Sequence, residues 1–558
     1  MTANTPALAP KNVLTIGQIM RAASIVMASF VLTGVLGIIR QAVIGGRFGI
    51  SGQLDAFVAA NRVSETLFTL VSGGALGSAF IPVFSRYLNR DDAADAWRLA
   101  SAVITLVSVI ALIATVLVAI FAEPITIWLL IPRADPAQQA LTVQLLRVML
   151  ATVVIFAISG LSMAILNAHQ KFLAASLAPG MYNIGLIAGA VLLVPTFGVF
   201  GLAYGAVIGA ALHLIVQLPA QYALRGRFRP TLAIHTPGVS EVIRLMGPRV
   251  LGLGVVQINY WVNAALTSGM VAGSLTALTF AFALLFTVLG VLGQSVGTAV
   301  FPTLSALNAR DDMDGFRRVL AGAVRGVLFM ALPATVGLIV LAKPLVDVIY
   351  HHGQWSAQDT DATAWALQFY AVGLSAFALQ EVLARAFYAL RDTFTPVLIG
   401  VAGVIFNVIL SLILMHVVGT HQTPFGQLMP FMQQLSGRTL WLSPVGEGPF
   451  GGLALANALA TVLESIALWA LISRRLNGIT DRVVLSTAGR ELIAALLMGV
   501  IVLLTRMVLM RMLSTPSPLL ILAIGAAVGM IAYEGLTLAF GLAEARSVPR
   551  ALLRRFRR

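Results

Sequence analysis

The chain has 558 residues, of which 59% are hydrophobic and only 10% charged, against the roughly one quarter usual in soluble proteins. No water-soluble core hides that much apolar surface, so lipid must be the solvent for most of it. The sequence has no cysteine, which excludes disulfides, thiolate metal sites and cysteine nucleophiles. The formal charge of +14 fits either nucleic acid or an excess of basic residues on one side of a membrane, and counting separates the two.

The opening MTANTPALAPKNVLTIGQ is polar and lacks the cationic start and short apolar core of a cleavable signal peptide. The first span is therefore expected to act as the insertion signal. About 20 apolar residues cross a hydrocarbon layer of about 30 Å. Spans are predicted near 17–45, 54–85, 95–121, 141–167, 173–195, 199–223 and 242–269. Seven more follow near 274–301, 314–341, 358–389, 395–417, 451–473, 486–512 and 517–542. The fold class is thus an all-α polytopic membrane protein with about fourteen transmembrane helices. The first two spans exceed the minimum, which implies tilt or extension beyond the bilayer.

Connections after even-numbered spans, counted with the span ends beside them and the C-terminus, hold 23 Lys and Arg, and those after odd-numbered spans hold seven. That asymmetry places both termini in the cytoplasm and accounts for the basic charge without nucleic acid. The tail ARSVPRALLRRFRR is expected to lie against anionic headgroups or to serve simply as a stop-transfer flank.

An internal repeat organises the chain. LFTLVSGGALGSAFIPVFSRYLNRDD begins at Leu67 in the second span, and LFTVLGVLGQSVGTAVFPTLSALNARDD begins at Leu285 in the eighth. The stretch joining spans four and five matches that joining ten and eleven, with Asn183 and Asn407 in corresponding places. FGLAYGAVIGAALHLIVQL then pairs with FGGLALANALATVLESIAL. Three matches in one order make two six-helix lobes, 1–230 and 231–480, with two further helices and the basic tail in 481–558. Six is an even number, so both lobes insert in the same orientation, related by an axis along the membrane normal. Paired lobes around a shared cavity belong to transporters.

Charges inside the membrane call for an explanation, because each costs about 2.5–3.5 kcal/mol on insertion scales. In the first lobe these are Arg40, Asp55, Arg62 and Glu65. The last three fall at i, i+7 and i+10, on one helical face. Arginine offers a fork to two phosphate oxygens, which suits a phosphate or pyrophosphate cargo. Arg62 and Glu65 could instead simply pair with each other. In the second lobe, Glu381 and Arg385 make a favourable i, i+4 pair, expected to be structural. Asn259, Asn263 and Asn407 either line the cavity or join helices by hydrogen bonds. His351 and His352 have no third ligand nearby, so no metal site is expected. No nucleotide-binding or hydrolase motif occurs, and neither enzymatic activity nor a cofactor is expected.

With these stretches in view, the chain resembles the MurJ (MviN) lipid II flippases of the MOP exporter superfamily over nearly its whole length. The resemblance is carried by VLGIIRQAVIGGRFG, LDAFVAANR, GGALGSAFIPVFS and ILNAHQKF, then by GVLGQSVGTAVFPTLS, ALPATVGLIVLAKPLVDVIYHHGQWSAQDT and RAFYALRDTFTPV. It implies a flippase that turns lipid-linked peptidoglycan precursor from the cytoplasmic to the outer leaflet of the bacterial inner membrane. Headgroup and pyrophosphate would occupy the central cavity, and the polyprenyl tail a groove involving spans 13 and 14. Arg40 and Asp55 match the family's arginine and aspartate, and Arg62 sits where a basic residue is expected. Glu65, Asn263 and Asn407 complete the candidate binding set. The chain departs from the family pattern at Gly34, Gln41, Phe68, Gly73, Ala283 and Asn263, where charged residues are usual. A variant cargo therefore stays open, as do an exporter of another lipid-linked saccharide or small molecule and a non-transporting cell-wall scaffold. The partners implied are the precursor and membrane lipids, with the protein acting as a monomer. The coupling ion, or the use of membrane potential, is left undetermined.

Overall fold

The computed structural model describes residues 16–71, 74–89, 93–233, 236–418, 448–479, 481–513 and 515–545. The opening segment, Gly73, the RDD run at Arg90, most of the 420–450 loop and the basic tail from Arg546 lie outside the described residues. Among those described, the chain is helical throughout and no strand occurs.

The long helices are α1 (Ile16–Phe48), α2 (Gly52–Val71), α3 (Gly74–Asn89) and α4 (Ala93–Ile120). Then come α5 (Pro136–Ala168), α6 (Phe172–Phe197) and α7 (Phe200–Tyr222), followed by α8 (Val239–Thr267). The series continues with α9 (Ser274–Ala309), α10 (Met313–Tyr350), α11 (Ala357–Val372) and α12 (Leu374–Ala389). It ends with α13 (Phe394–Leu414), α14 (Phe450–Arg475), α15 (Asp481–Met512) and α16 (Pro518–Ala539).

Among the described residues, eleven helices are long and apolar enough to cross a membrane, or twelve if α11 and α12, bent by 46°, form one span. The two other spans expected from the sequence coincide with α2–α3 and with α8, which is compatible with fourteen. Large apolar side chains cover the outer faces, as with Ile405, Ile409 and Leu412 on α13. Such a surface is stable only against lipid.

Packing divides the chain into two units, one of residues up to Arg47 with Gly52–Ala265, the other of Phe48–Ser51 with Leu266–Arg558. Helix α8 is tied into the first unit by side-chain contacts: Arg86 Nη2 meets Glu241 Oε1 at 2.5 Å, and Trp261 Nε1 donates to Thr66 Oγ1 at 2.9 Å. In the sequence repeat α8 opens the second copy. That assignment concerns chain order, which contacts do not decide.

The first unit is held together by small residues. A Cβ added at Gly185 on α6 would collide with the Gly209 backbone on α7, and one added at Gly205 would lie 2.8 Å from Gly189 Cα. Glycines four apart on both helices let the backbones touch, the usual way membrane helices gain dispersion contacts when lipid is as apolar as they are.

Four connections share a single device. Residues Gln170, Asp311, Arg391 and Asn477 take positive φ of 61°, 58°, 63° and 53°. Each is followed by an amide that reaches back five residues: Lys171 to Leu166 O at 2.8 Å, Asp312 to Leu307 O at 3.0 Å, Asp392 to Phe387 O at 3.0 Å and Gly478 to Ser473 O at 2.8 Å. This left-handed termination satisfies the last carbonyls of the helix. The family-like HQKF, RDD and RDTF stretches are these turns.

At the RDTF turn, Asp392 Oδ1 accepts from the Thr395 amide at 3.0 Å, while Oδ2 accepts from its hydroxyl at 2.7 Å and meets Arg475 Nη1 at 2.5 Å. The Thr395 amide first, then its hydroxyl and Arg475, hold this carboxyl below the usual aspartate value against a smaller opposing effect of burial. Asp392→Ala should cost about 1–2 kcal/mol, as other lost helix caps do. A depressed carboxylate stabilises fully above its unfolded value of about 3.9 and loses that contribution as pH falls through its folded value. Thermal unfolding in detergent should therefore show the deficit at neutral pH and a narrowing gap below about pH 4. An equal deficit at every pH would refute the account.

Candidate functional site

The polar residues singled out in the first lobe gather on α1, α2, α6 and α8 of the first unit. Helix α6 brings Asn183 to Arg40 on α1, whose Nη1 donates to Asn183 Oδ1 at 3.0 Å. The other end of the amide is used as well, since Asn183 Nδ2 donates to the Thr33 carbonyl at 3.2 Å. Asn183 is buried at 6% exposure, so this contact is fixed by packing. A neutral partner orients the guanidinium without cancelling its charge.

On α2 the period of 3.6 places Asp55, Arg62 and Glu65 along one side. Arg62 Nη1 lies 3.0 Å from Glu65 Oε2, the internal pair allowed for above. The other carboxylate oxygen, Oε1, accepts from Asn61 Nδ2 at 2.6 Å. Arg62 also sits over the ring of Tyr260, its Cζ 4.6 Å from the centroid, a cation–π contact. Below it, Thr66 donates to the Arg62 carbonyl at 2.7 Å and makes a 3.3 Å contact to Gln257. Tyr182, the residue before Asn183 on α6, stands within electrostatic range of both Glu65 and Arg40. Asp55 is buried at 7% exposure near the start of α2.

The two asparagines of the candidate set fall differently. Asn263 lies on α8, three residues beyond Tyr260, and is half-buried. Asn407 belongs to the second unit and is 2% exposed, its Oδ1 accepting from Ser411 at 3.3 Å. Both members of the matched pair Asn183 and Asn407 are thus buried on their helices. In the second unit, Arg385 pairs with the Glu381 carboxylate and donates to its carbonyl at 2.7 Å, a contact internal to α12. His351 Nδ1 meets Asp347 at 2.5 Å, and among the described residues no cluster suited to a metal occurs.

Three of the positions where charged residues were expected lie in different surroundings. Around Gly34 there is open space within 4 Å of an added Cβ. Gln41 is buried at 7% exposure, and Phe68 packs on Phe156 with centroids 4.7 Å apart. Sequence reasoning missed Asn183 as the partner of Arg40, along with Tyr260, Gln257 and Trp261 around Arg62 and Thr66. The one available signal was the run Gln-Ile-Asn-Tyr-Trp at 257–261, unusually polar and aromatic for mid-helix.

A family model described as Lipid II flippase MurJ matches residues 44–444. The probable lipid II flippase MurJ of Vibrio cholerae is 29% identical over 513 residues, covering 87% of this chain and 97% of that protein. The corresponding protein of Bdellovibrio bacteriovorus is 28% identical, covering 94% and 95%. Among solved structures, one titled Lipid II flippase MurJ, inward closed conformation, aligns with a TM-score of 0.74 at 23% identity over 92% of this chain and 98% of that one. An inward-facing multidrug resistance MATE family transporter of the MOP superfamily aligns with a TM-score of 0.61 at 14% identity, covering 82% of this chain and 99% of that one. These structural likenesses establish the fold.

Proposed function

Because the chain belongs to the MurJ family, we propose that it carries lipid II, the lipid-linked peptidoglycan precursor, from the cytoplasmic to the outer leaflet by alternating access. The observation that supports this most directly is a pair of guanidinium groups in the first unit, each touching an uncharged partner, with Arg62 also paired to Glu65. Arg40 is held by the Asn183 amide and Arg62 by the Tyr260 ring. A pyrophosphate ester needs such forks, because charge-assisted bonds to its oxygens are about twice as strong as neutral ones.

In this proposal Arg40 and Arg62 contact the pyrophosphate. Glu65, Asp55 and Asn263 set the polarity around them, and Asn407 serves the second lobe. The cargo leaves chemically unchanged, so the protein is a carrier and not an enzyme. It works as a monomer in the bacterial inner membrane, and the Lys and Arg asymmetry supports cytoplasmic termini. Drive comes from an ion gradient or the membrane potential.

The test is complementation of a bacterium depleted of its own flippase, with lipid II exposure read by an enzyme or probe confined to the outer surface. Restored growth together with restored outer-leaflet labelling is the expected result. Full expression in the membrane without labelling would overturn the reading.

A further inference from the structure

A second set of charges lies in the second unit, on α10, α15 and the chain just beyond α16. Glu491 on α15 is 0% exposed, and among the described residues neither of its carboxylate oxygens has a hydrogen-bond partner. The charged groups that act on it from neighbouring elements are Glu544, beyond the end of α16, and Arg325 on α10. Tyr533 on α16 also lies within range of Glu491, Glu534 and Glu544. On its own helix the adjacent Arg490 is exposed.

The local chain path explains how Glu544 arrives there. Gly541 adopts φ +70°, and the Leu542 amide reaches back to Thr537 O at 3.0 Å. This left-handed turn folds the chain under α16, burying Leu542 and Ala545. Glu544, 8% exposed, then meets Arg325, with Oε1 3.4 Å from Nε. Apolar side chains surround the set, among them Phe329, Ala494, Ala495 and Met498. The Tyr533 hydroxyl donates to the Phe329 carbonyl at 3.0 Å, so its proton is already committed.

In this set the guanidinium of Arg325 pairs with Glu544. An ionised Glu491 would be a second negative charge in an apolar surround with no donor. Such burial costs several kcal/mol, and buried groups avoid the cost by neutralising. We propose that Glu491 is a proton-binding group, which carries a proton when α15 and α16 are packed on α10. Loss of that proton leaves a buried carboxylate without a donor in an apolar surround and loosens the terminal helix pair. This site is separate from the proposed cargo contacts and does not depend on them.

The test uses the full chain in lipid nanodiscs. Infrared spectra of the wild type should contain the carbonyl stretch of a buried protonated carboxyl, lost in Glu491→Gln and retained in Glu544→Gln. The folded chain would keep a proton that the unfolded chain releases above the ordinary glutamate value of about 4.3. The wild-type folding equilibrium should then weaken as pH rises, by up to about tenfold per pH unit until the folded group also ionises. Glu491→Gln should lack that slope. Glu491→Leu, apolar and of similar volume, should also fold, because the proposal requires a neutral side chain and no charge. Rejection of both variants, an unchanged slope in Glu491→Gln, or absence of the carboxyl band would overturn the proposal. So would a stability that follows sodium or potassium concentration at fixed pH.

Discussion

Replacing Arg40 and Arg62 together by alanine should abolish complementation while leaving the protein folded in the membrane. The neighbours of each guanidinium keep other bonds when it is removed. Asn183 keeps its bond to the Thr33 carbonyl, and Thr66 keeps the Trp261 indole. A charge-assisted bond to an anion is worth about 1.5–3 kcal/mol, so losing both should weaken cargo binding by about two to four orders of magnitude. Single variants should be intermediate. Arg40→Lys should retain part of the activity, since it keeps the charge but not the planar fork. Asn183→Ala should impair transport without removing any charge, by freeing the guanidinium it orients. Outer-leaflet labelling of lipid II at matched expression measures the whole series. Wild-type labelling by the double variant would discard the assignment of both residues.

The largest effect on folding is expected at Gly185. An added methyl there meets Gly209 backbone atoms and the Gly205 carbonyl oxygen, and no rotamer change relieves a clash with backbone. Overpacking typically costs about 1–3 kcal/mol, and Gly185→Ala should reach at least the top of that range. Gly400, on α13, has nothing within 4 Å of an added Cβ. Gly400→Ala should therefore be neutral or stabilising by up to about 1 kcal/mol, the helix-propensity difference. One chemical change thus has opposite signs at two glycines, and melting temperatures of the purified variants compare them directly. The first also reaches the candidate site, because α6 carries Asn183 two residues before Gly185. Equal melting temperatures for the two variants would show that the α6–α7 contact is not tight.

Much of this architecture was legible in the sequence, because membrane spans are written in local runs. The apolar stretches locate the helices, and the RDD and RDTF stretches mark turns whose αL residues were later found at Asp311 and Arg391. The face of α2 bearing Arg62 and Glu65 also followed from helical spacing alone. What partners Arg40 did not, since Asn183 is 143 residues away and no local period reports it. The same limit hid Tyr260 above Arg62. Asn183 and Asn407 look equivalent in the repeat, but one holds an arginine while the other takes a bond from Ser411 on its own helix. Glu491 is likewise a single acid at a helix start by sequence. Its isolation depends on the Gly541 turn and on Arg325 far upstream.

Arg62 already has an anion beside it in Glu65, 3.0 Å away. On the proposed reading, an arriving pyrophosphate must displace that carboxylate, so loading the carrier is an exchange of partners. The contact given up offsets part of the attraction to the cargo, which shortens retention. When the cargo departs, the resident carboxylate restores the arginine's neutralising contact and hastens the reset. A carrier has to release what it captures, and a built-in competitor lets one cation do both.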